Sequence, residues 1–246
     1  MLLVCRDVAV SQRFLPFSAE VHQGELVHLL GPNGAGKSSL LAALSGLLPA
    51  SGAIIFAGKR LDAWRADSLA QRRAYLHQQQ LPPGNMPVWH YLELHRGYGR
   101  APDDELRLPA LVQAFQLHDK LDRLLTQLSG GEWQRVRLAA MFCQLGQPEG
   151  KLLLLDEPLA GLDLAQQAAF DHYLASLITE GLTAIVSGHD INHTLHHAQR
   201  VWLMKNGRMV RQGSVKDVLQ PVILSAVYQV PFRRIAVDGD EMLSTH

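Results

Sequence analysis

Gly31-Pro32-Asn33-Gly34-Ala35-Gly36-Lys37-Ser38 is a glycine-rich run closed by a lysine and a hydroxyl. Glycines at this density let successive backbone N–H groups turn toward one centre, where they hold anionic oxygens. The run follows a predicted strand, Glu25 to Leu30, and opens a predicted helix, Ser38 to Leu48, stopped by Pro49. The helix N-terminus adds unpaired donors and the positive end of its dipole. Pattern and context together read as a phosphate-binding loop. Lys37 is placed to reach β- and γ-phosphates. The Ser38 hydroxyl suits Mg²⁺, and Ser39 can donate to a phosphate oxygen.

A second constellation lies downstream. Leu152 to Leu155 is an uninterrupted apolar run, as expected of a central parallel strand, and Asp156 and Glu157 follow it directly. Ligands bind at that end of open parallel sheets. Asp156 is the expected Mg²⁺ partner, through water. Glu157 is the candidate to polarise an attacking water. A phosphate loop, a metal carboxylate and a base together describe hydrolysis of a nucleoside triphosphate.

Ser129-Gly130-Gly131-Glu132 has the capping-box spacing, serine at the N-cap and glutamate three residues on. A hydroxyl and glycine N–H groups at a capped helix start can hold another phosphate. With Leu128 before it and Trp133-Gln134-Arg135 after it, this stretch resembles the signature of ABC ATPases. The resemblance covers nearly the whole chain. It implies ATP and Mg²⁺ as ligands and a second copy of the same chain, whose ATP the signature contacts across a two-fold axis. It also implies further site residues. Gln78, at the end of the strand Ala74 to His77, resembles the glutamine that contacts Mg²⁺ and senses the γ-phosphate; Gln79 and Gln80 are its neighbours. Asp163 closes the segment that resembles the D-loop, and His189 resembles the switch histidine. Ser39 stands where threonine is common, and Leu159-Ala160-Gly161-Leu162 differs from the commoner D-loop lead-in. The aromatic that stacks on adenine has no clear match. Phe14 could serve, but Phe14 and Phe17 read better as packing residues.

Other stretches narrow the resemblance. Ala74 to Gln80 with Pro82-Pro83, Pro87 to Leu92, Leu128 to Ala140, Asp190 to Leu195 and Phe232-Arg233-Arg234 are similar to the ATPase subunits of bacterial vitamin B12 (cobalamin) importers. Haem or iron–siderophore importers are the alternative cargo class, and a soluble ABC ATPase outside transport is the remaining one. The importer resemblance implies two transmembrane permease subunits, an indirect periplasmic substrate-binding protein, and a peripheral place on the cytoplasmic face of the bacterial inner membrane. Gln80 to Leu94 would then form the permease groove, with Trp89 and Tyr91 as candidate anchors.

These residues need an α/β frame. The resemblance implies a single ABC ATPase domain over residues 1–246: a P-loop core, an antiparallel β subdomain and a helical subdomain inserted at about 81–146. Leu2 to Val10, Ala19 to Val21 and Ala53 to Phe56 read as short strands. Leu164 to Thr179 reads as a helix and Leu182 to Ser187 as a strand. Val201 to Lys205 and Arg208 to Val210 form a hairpin about Asn206-Gly207. Ser214 to Leu219 is a short capped helix. Arg233 to Val237 and Glu241 to Leu243 suggest a last hairpin about Asp238-Gly239. Lysine plus arginine equals aspartate plus glutamate at 23 each, without the basic excess of a nucleic-acid binder, and no nucleic-acid partner is expected. The two distant cysteines, Cys5 and Cys143, make no disulfide framework. No signal peptide or apolar run of about eighteen residues is evident. His193 and His197 lie four apart on a predicted helix, a spacing that can hold zinc, but no third ligand is evident, and a solvated or packed face is the expectation.

Overall fold

The computed structural model describes residues 1–96, 104–146, 150–237 and 239–245. The first half contains β1 (Leu3–Val10), β2 (Phe14–Val21), β3 (Leu26–Leu30), α1 (Lys37–Leu44), β4 (Ser51–Phe56), β5 (Lys59–Arg60), α2 (Ala66–Ala70), β6 (Arg73–Leu76), α3 (Val88–His95) and α4 (Asp104–Ala114). Then come α5 (Gly130–Leu145), β7 (Leu152–Asp156), α6 (Leu164–Thr179), β8 (Thr183–Ser187), α7 (Ile191–His197), β9 (Arg200–Lys205) and β10 (Arg208–Ser214). The chain closes with α8 (Val215–Val218), α9 (Pro221–Tyr228), β11 (Arg233–Val237) and β12 (Asp240–Ser244).

Six strands form one sheet in the order β10-β9-β3-β8-β7-β6, parallel throughout except for the edge strand β10. A four-stranded antiparallel sheet, β2-β1-β4-β5, lies apart from it. The leucine run shows why the central sheet is buried on both faces. Successive strand side chains point to opposite sides. Leu153 and Leu155 therefore enter the apolar cluster that holds α3, α4, α5 and α6. Leu152 and Leu154 enter a second cluster, with α1 and the antiparallel sheet. A smaller cluster joins β9, α8, α9 and Leu243 of β12.

The hairpin about Asn206-Gly207 forms as the sequence implies, with both residues at positive φ, 48° and 71°. Other elements differ from expectation. β2 starts at Phe14 rather than Ala19, because Phe14 and Phe17 both turn inward and stack edge-on, ring centroids 6.0 Å apart. The exposed Leu15 and Pro16 between them hide the strand periodicity. Helix α9 was not foreseen. Pro221 starts it and Leu224 and Val227 bury its inner face, within a nearly continuous apolar run that carries little helical period. Of the helical segment expected at about 81–146, residues 97–103 lie outside the described residues, as does Asp238 of the last turn.

Helix α5 is capped as its sequence requires. The Ser129 N–H donates to Glu132 Oε2 at 2.8 Å, and the Glu132 N–H donates to Ser129 Oγ at 3.3 Å. Lys120 reaches the other carboxylate oxygen at 3.1 Å. The bond from the Ser129 backbone, followed by the Ser129 side chain and Lys120, pulls the Glu132 carboxyl down to about 2. Its folded value lies below the ordinary glutamate value of about 4.3. The resulting stabilisation is complete above that value and is lost as pH falls through about 2. Glu132→Ala is expected to lower stability in urea by about 1 kcal/mol. Glu132→Gln should keep the cap and lose its share of the acid dependence.

Candidate nucleotide site

The glycine-rich loop joins β3 to α1. Gly31 stands at φ 151°, and a Cβ there would fall 2.2 Å from the Met204 carbonyl oxygen of β9. Only glycine fits that approach. Gly36 precedes α1 in the left-handed region at φ 102°. The Gly207 N–H donates to the Ala35 carbonyl at 3.0 Å, so the β9–β10 turn braces the loop from behind.

Lys37 is buried, and its Nζ donates to the Gly31 carbonyl at 2.7 Å and to Pro32 at 3.3 Å. Burial pushes its pKa down, while the charges of Glu157 and Asp156 push it up. The ammonium thus faces the two carboxylates that end β7.

Asp156 is almost fully buried, and its Oδ1 accepts from Ser187 Oγ at 2.6 Å. Its Oδ2 is buried with no hydrogen-bond partner. An orphaned carboxylate oxygen beside a buried lysine and a serine-rich helix start suits a hydrated divalent cation. Glu157 adopts φ 50°, a left-handed conformation costly for a residue with a Cβ. Its N–H donates to the same Ser187 Oγ at 2.9 Å. Its Oε2 accepts from Gln78 Nε2 at 2.8 Å. Of the three consecutive glutamines, Gln78 is the one whose side chain meets Glu157.

A cavity of about 590 Å³ gathers Asn33 to Ser39, Gln78, Glu157 and His189 with Gln12 and Arg13. Of its contributors, the loop with Lys37 and the acid Glu157 were singled out from the residues themselves, and Gln78 and His189 from the family resemblance. Three residues near it were not. Ser187 read only as the end of a strand. Gln12 and Arg13 sit in the turn between β1 and β2, where Gln12 takes φ 60°. Phe14, next along, is buried in the core and unavailable to a base.

Ser129, Gly130, Gly131, Glu132 and Asp163 do not line this cavity. Ser129 and Gly130 are exposed. Asp163 caps α6, accepting from the Gln166 N–H at 2.8 Å. Gly131 lies so close to the D-loop segment that a Cβ would meet the Gly161 carbonyl at 2.7 Å. Farther along α5, Gln134 Nε2 donates to the Pro158 carbonyl at 2.8 Å. Arg137 donates to Gln134 Oε1 and to the His77 carbonyl. One helix therefore grips the residue after Glu157 and the residue before Gln78.

Among the candidate permease anchors, Tyr91 is buried against Trp133, ring centroids 5.1 Å apart, whereas Trp89 is half exposed. The Trp133 indole donates to the Gln80 carbonyl at 2.7 Å. Tyr91 is thus a packing residue, because its ring fills the space between α3 and α5.

Ser187→Ala removes the hydroxyl shared by Asp156 and the Glu157 N–H. Urea unfolding is expected to show a loss of roughly 1–3 kcal/mol, the cost of leaving buried polar groups unpaired. A loss below about 0.3 kcal/mol would mean that water replaces the hydroxyl.

Residues 14–160 match the family model described as ABC transporter. The chain is 51% identical over 249 residues to the vitamin B12 import ATP-binding protein BtuD of Escherichia coli O157:H7, covering 99% of this chain and 98% of that one. Its fold resembles the solved ATP-binding subunit of an ABC transporter, with a TM-score of 0.82 at 26% identity over 93% of this chain and 98% of that one. It also resembles a nucleotide-free ATP-binding cassette, TM-score 0.75, at 21% identity over 92% and 98% of the two chains, a likeness of fold alone. On the matched family model and the full-length similarity, the chain belongs to the ABC transporter family.

Proposed function

We propose that this chain is the ATP-hydrolysing subunit of a bacterial vitamin B12 importer. One observation carries the chemistry: Lys37, Gln78, Glu157 and His189 converge on one cavity at the C-terminal edge of the parallel sheet. The full-length similarity to the vitamin B12 import protein supports the cargo.

In this reading the N–H groups of Gly31, Asn33, Gly34, Ala35 and Gly36 and the ammonium of Lys37 cradle the β- and γ-phosphates, with Pro32 shaping the loop without donating and Ser38 and Ser39 at the helix start. Ser38, Gln78 and Asp156 would hold Mg²⁺, Asp156 through its unpartnered Oδ2. When bound, the ion neutralises phosphate charge and orients the terminal phosphoryl group. Glu157 accepts the proton of the attacking water, and the Gln78 amide keeps that carboxylate aimed. His189 donates toward the γ-phosphate. Ser129, Gly130, Gly131 and Glu132, with Asp163, serve the partner's nucleotide; the exposure of Ser129, Gly130 and Asp163 outside the chain's own cavity supports this. ATP thereby joins two copies about a two-fold axis, and its hydrolysis releases them. Arg13 lines the same cavity and is our candidate for the contact to the base. Its planar guanidinium can cover an adenine face as an aromatic ring would.

Residues 1–246 act as one ABC ATPase domain in this scheme, with 81–146 as the helical subdomain. Among the described residues no helix is long and apolar enough to cross a membrane. Two permease subunits supply the path, and a periplasmic binding protein delivers cargo to them. The chain then sits peripherally on the cytoplasmic face of the inner membrane. The exposed side chains of Leu81, Trp89 and Leu94 are the surface offered to a permease helix.

Glu157→Gln is expected to cut ATP turnover by about 10²-fold or more while nucleotide still binds. Lys37→Ala should abolish binding itself. Unchanged turnover in the glutamine variant would move the base elsewhere. Arg13→Ala should raise KM for ATP roughly three- to tenfold with kcat little altered, the scale of one cation–π contact. Reconstitution with the permease and binding protein should give ATP-dependent cobalamin uptake. Uptake of haem or an iron–siderophore instead would reassign the cargo.

A further inference from the structure

Asp171 on α6 and His193 and His197 on α7 bring three ligating side chains together. His193 Nε2 lies 2.9 Å from Asp171 Oδ2, and His197 Nε2 lies 3.8 Å from the same oxygen. All three ligand atoms fall within 4.8 Å of one another. The two imidazoles, one helical turn apart, stack with centroids 4.4 Å apart and planes inclined by 22°. The third ligand missing from the local sequence is therefore supplied by the packing of α7 on α6.

We propose that Asp171, His193 and His197 bind one borderline divalent transition-metal ion, Zn²⁺ foremost. Two imidazole nitrogens and one carboxylate oxygen are a zinc donor set, and three protein ligands leave a fourth position for water. Asp171 and His193 are largely shielded, while the His197 side chain is 43% exposed and opens the route from solvent. Behind them His28 stacks on His193, centroids 5.6 Å apart, with its Nδ1 bonded to Thr194 Oγ1 at 3.0 Å. In the 2.9 Å bond the ring N–H of His193 Nε2 donates and Asp171 Oδ2 accepts, so the proton sits on the nitrogen. Metal binding replaces that proton, which moves to Nδ1 or to water. No electrons are exchanged. The bound ion would clamp α6, which starts after Asp163, to α7, which starts two residues after His189.

The test uses the untagged full-length chain and Zn²⁺ alone, followed by calorimetry and thermal unfolding. One ion should bind per chain. Asp171→Asn and His197→Ala should each weaken it at least tenfold, and His196→Ala, an exposed neighbour, should leave it unchanged. Zn²⁺ should raise the unfolding midpoint of the wild type and of His196→Ala, but not of the two ligand variants. Substitution by Co²⁺ should give the visible spectrum of a tetrahedral nitrogen–oxygen site. His197 is close to half exposed, so its variant folds and decides the matter even if Asp171→Asn is unstable. Absence of binding, or equal affinity in His197→Ala, would overturn the site.

Discussion

The hydroxyl of Ser187 is the contact on which the site depends. Strands β7 and β8 end side by side, and this one group donates to Asp156 and accepts from the Glu157 backbone. A buried carboxylate is tolerated only where it is paired or hydrogen-bonded. Ser187 satisfies one oxygen of Asp156 and leaves the other free for a cation. The same bond helps hold Glu157 in its left-handed conformation, which aims its side chain across the cavity to Gln78. Lys37 adds a buried ammonium to the arrangement, its pKa pushed down by burial and up by the charges of the two acids.

Helix α5 relates that centre to the rest of the molecule. Its capped start carries Ser129 and Gly130 on the surface, and Gly131 lets it approach the D-loop backbone. One and two turns on, Gln134 and Arg137 hold the segments that carry Glu157 and Gln78. A shift of this helix would move Ser129 and Gly130 together with the segments that carry Glu157 and Gln78. Arg135, bonded to the carbonyls of Phe115 and Gln116, fastens the same helix to the end of α4. Rigid attachment at several points is what lets one element transmit motion.

Much of the site was legible because its chemistry is local in sequence. Gly31 to Ser38 needs a strand before it and a helix after it, and both are written in adjacent residues. Asp156 and Glu157 are marked by the leucine run that precedes them, and Ser129 and Glu132 by capping-box spacing. The parallel core of the central sheet follows from apolar runs separated by helices, and its antiparallel edge from the hairpin about Asn206-Gly207. The strand from Phe14 was obscured, because Leu15 and Pro16 interrupt its alternation. Helix α9 was obscured for the opposite reason, since its apolar residues run on without a polar face.

By itself the sequence determined the glycine-rich loop between strand and helix, the two carboxylates after the leucine run, the capping box of α5 and the likeness to the ABC transporter family. Each rests on residues a few positions apart, where backbone geometry alone sets the relation. The tertiary structure decided which glutamine meets Glu157, that Ser187 supports both acids, that Arg13 rather than Phe14 borders the cavity, and that Asp171 joins His193 and His197. Those pairs stand between 22 and 79 residues apart in the cases bonded directly. Only the packing of one strand or helix against another sets such distances, and no local pattern encodes them.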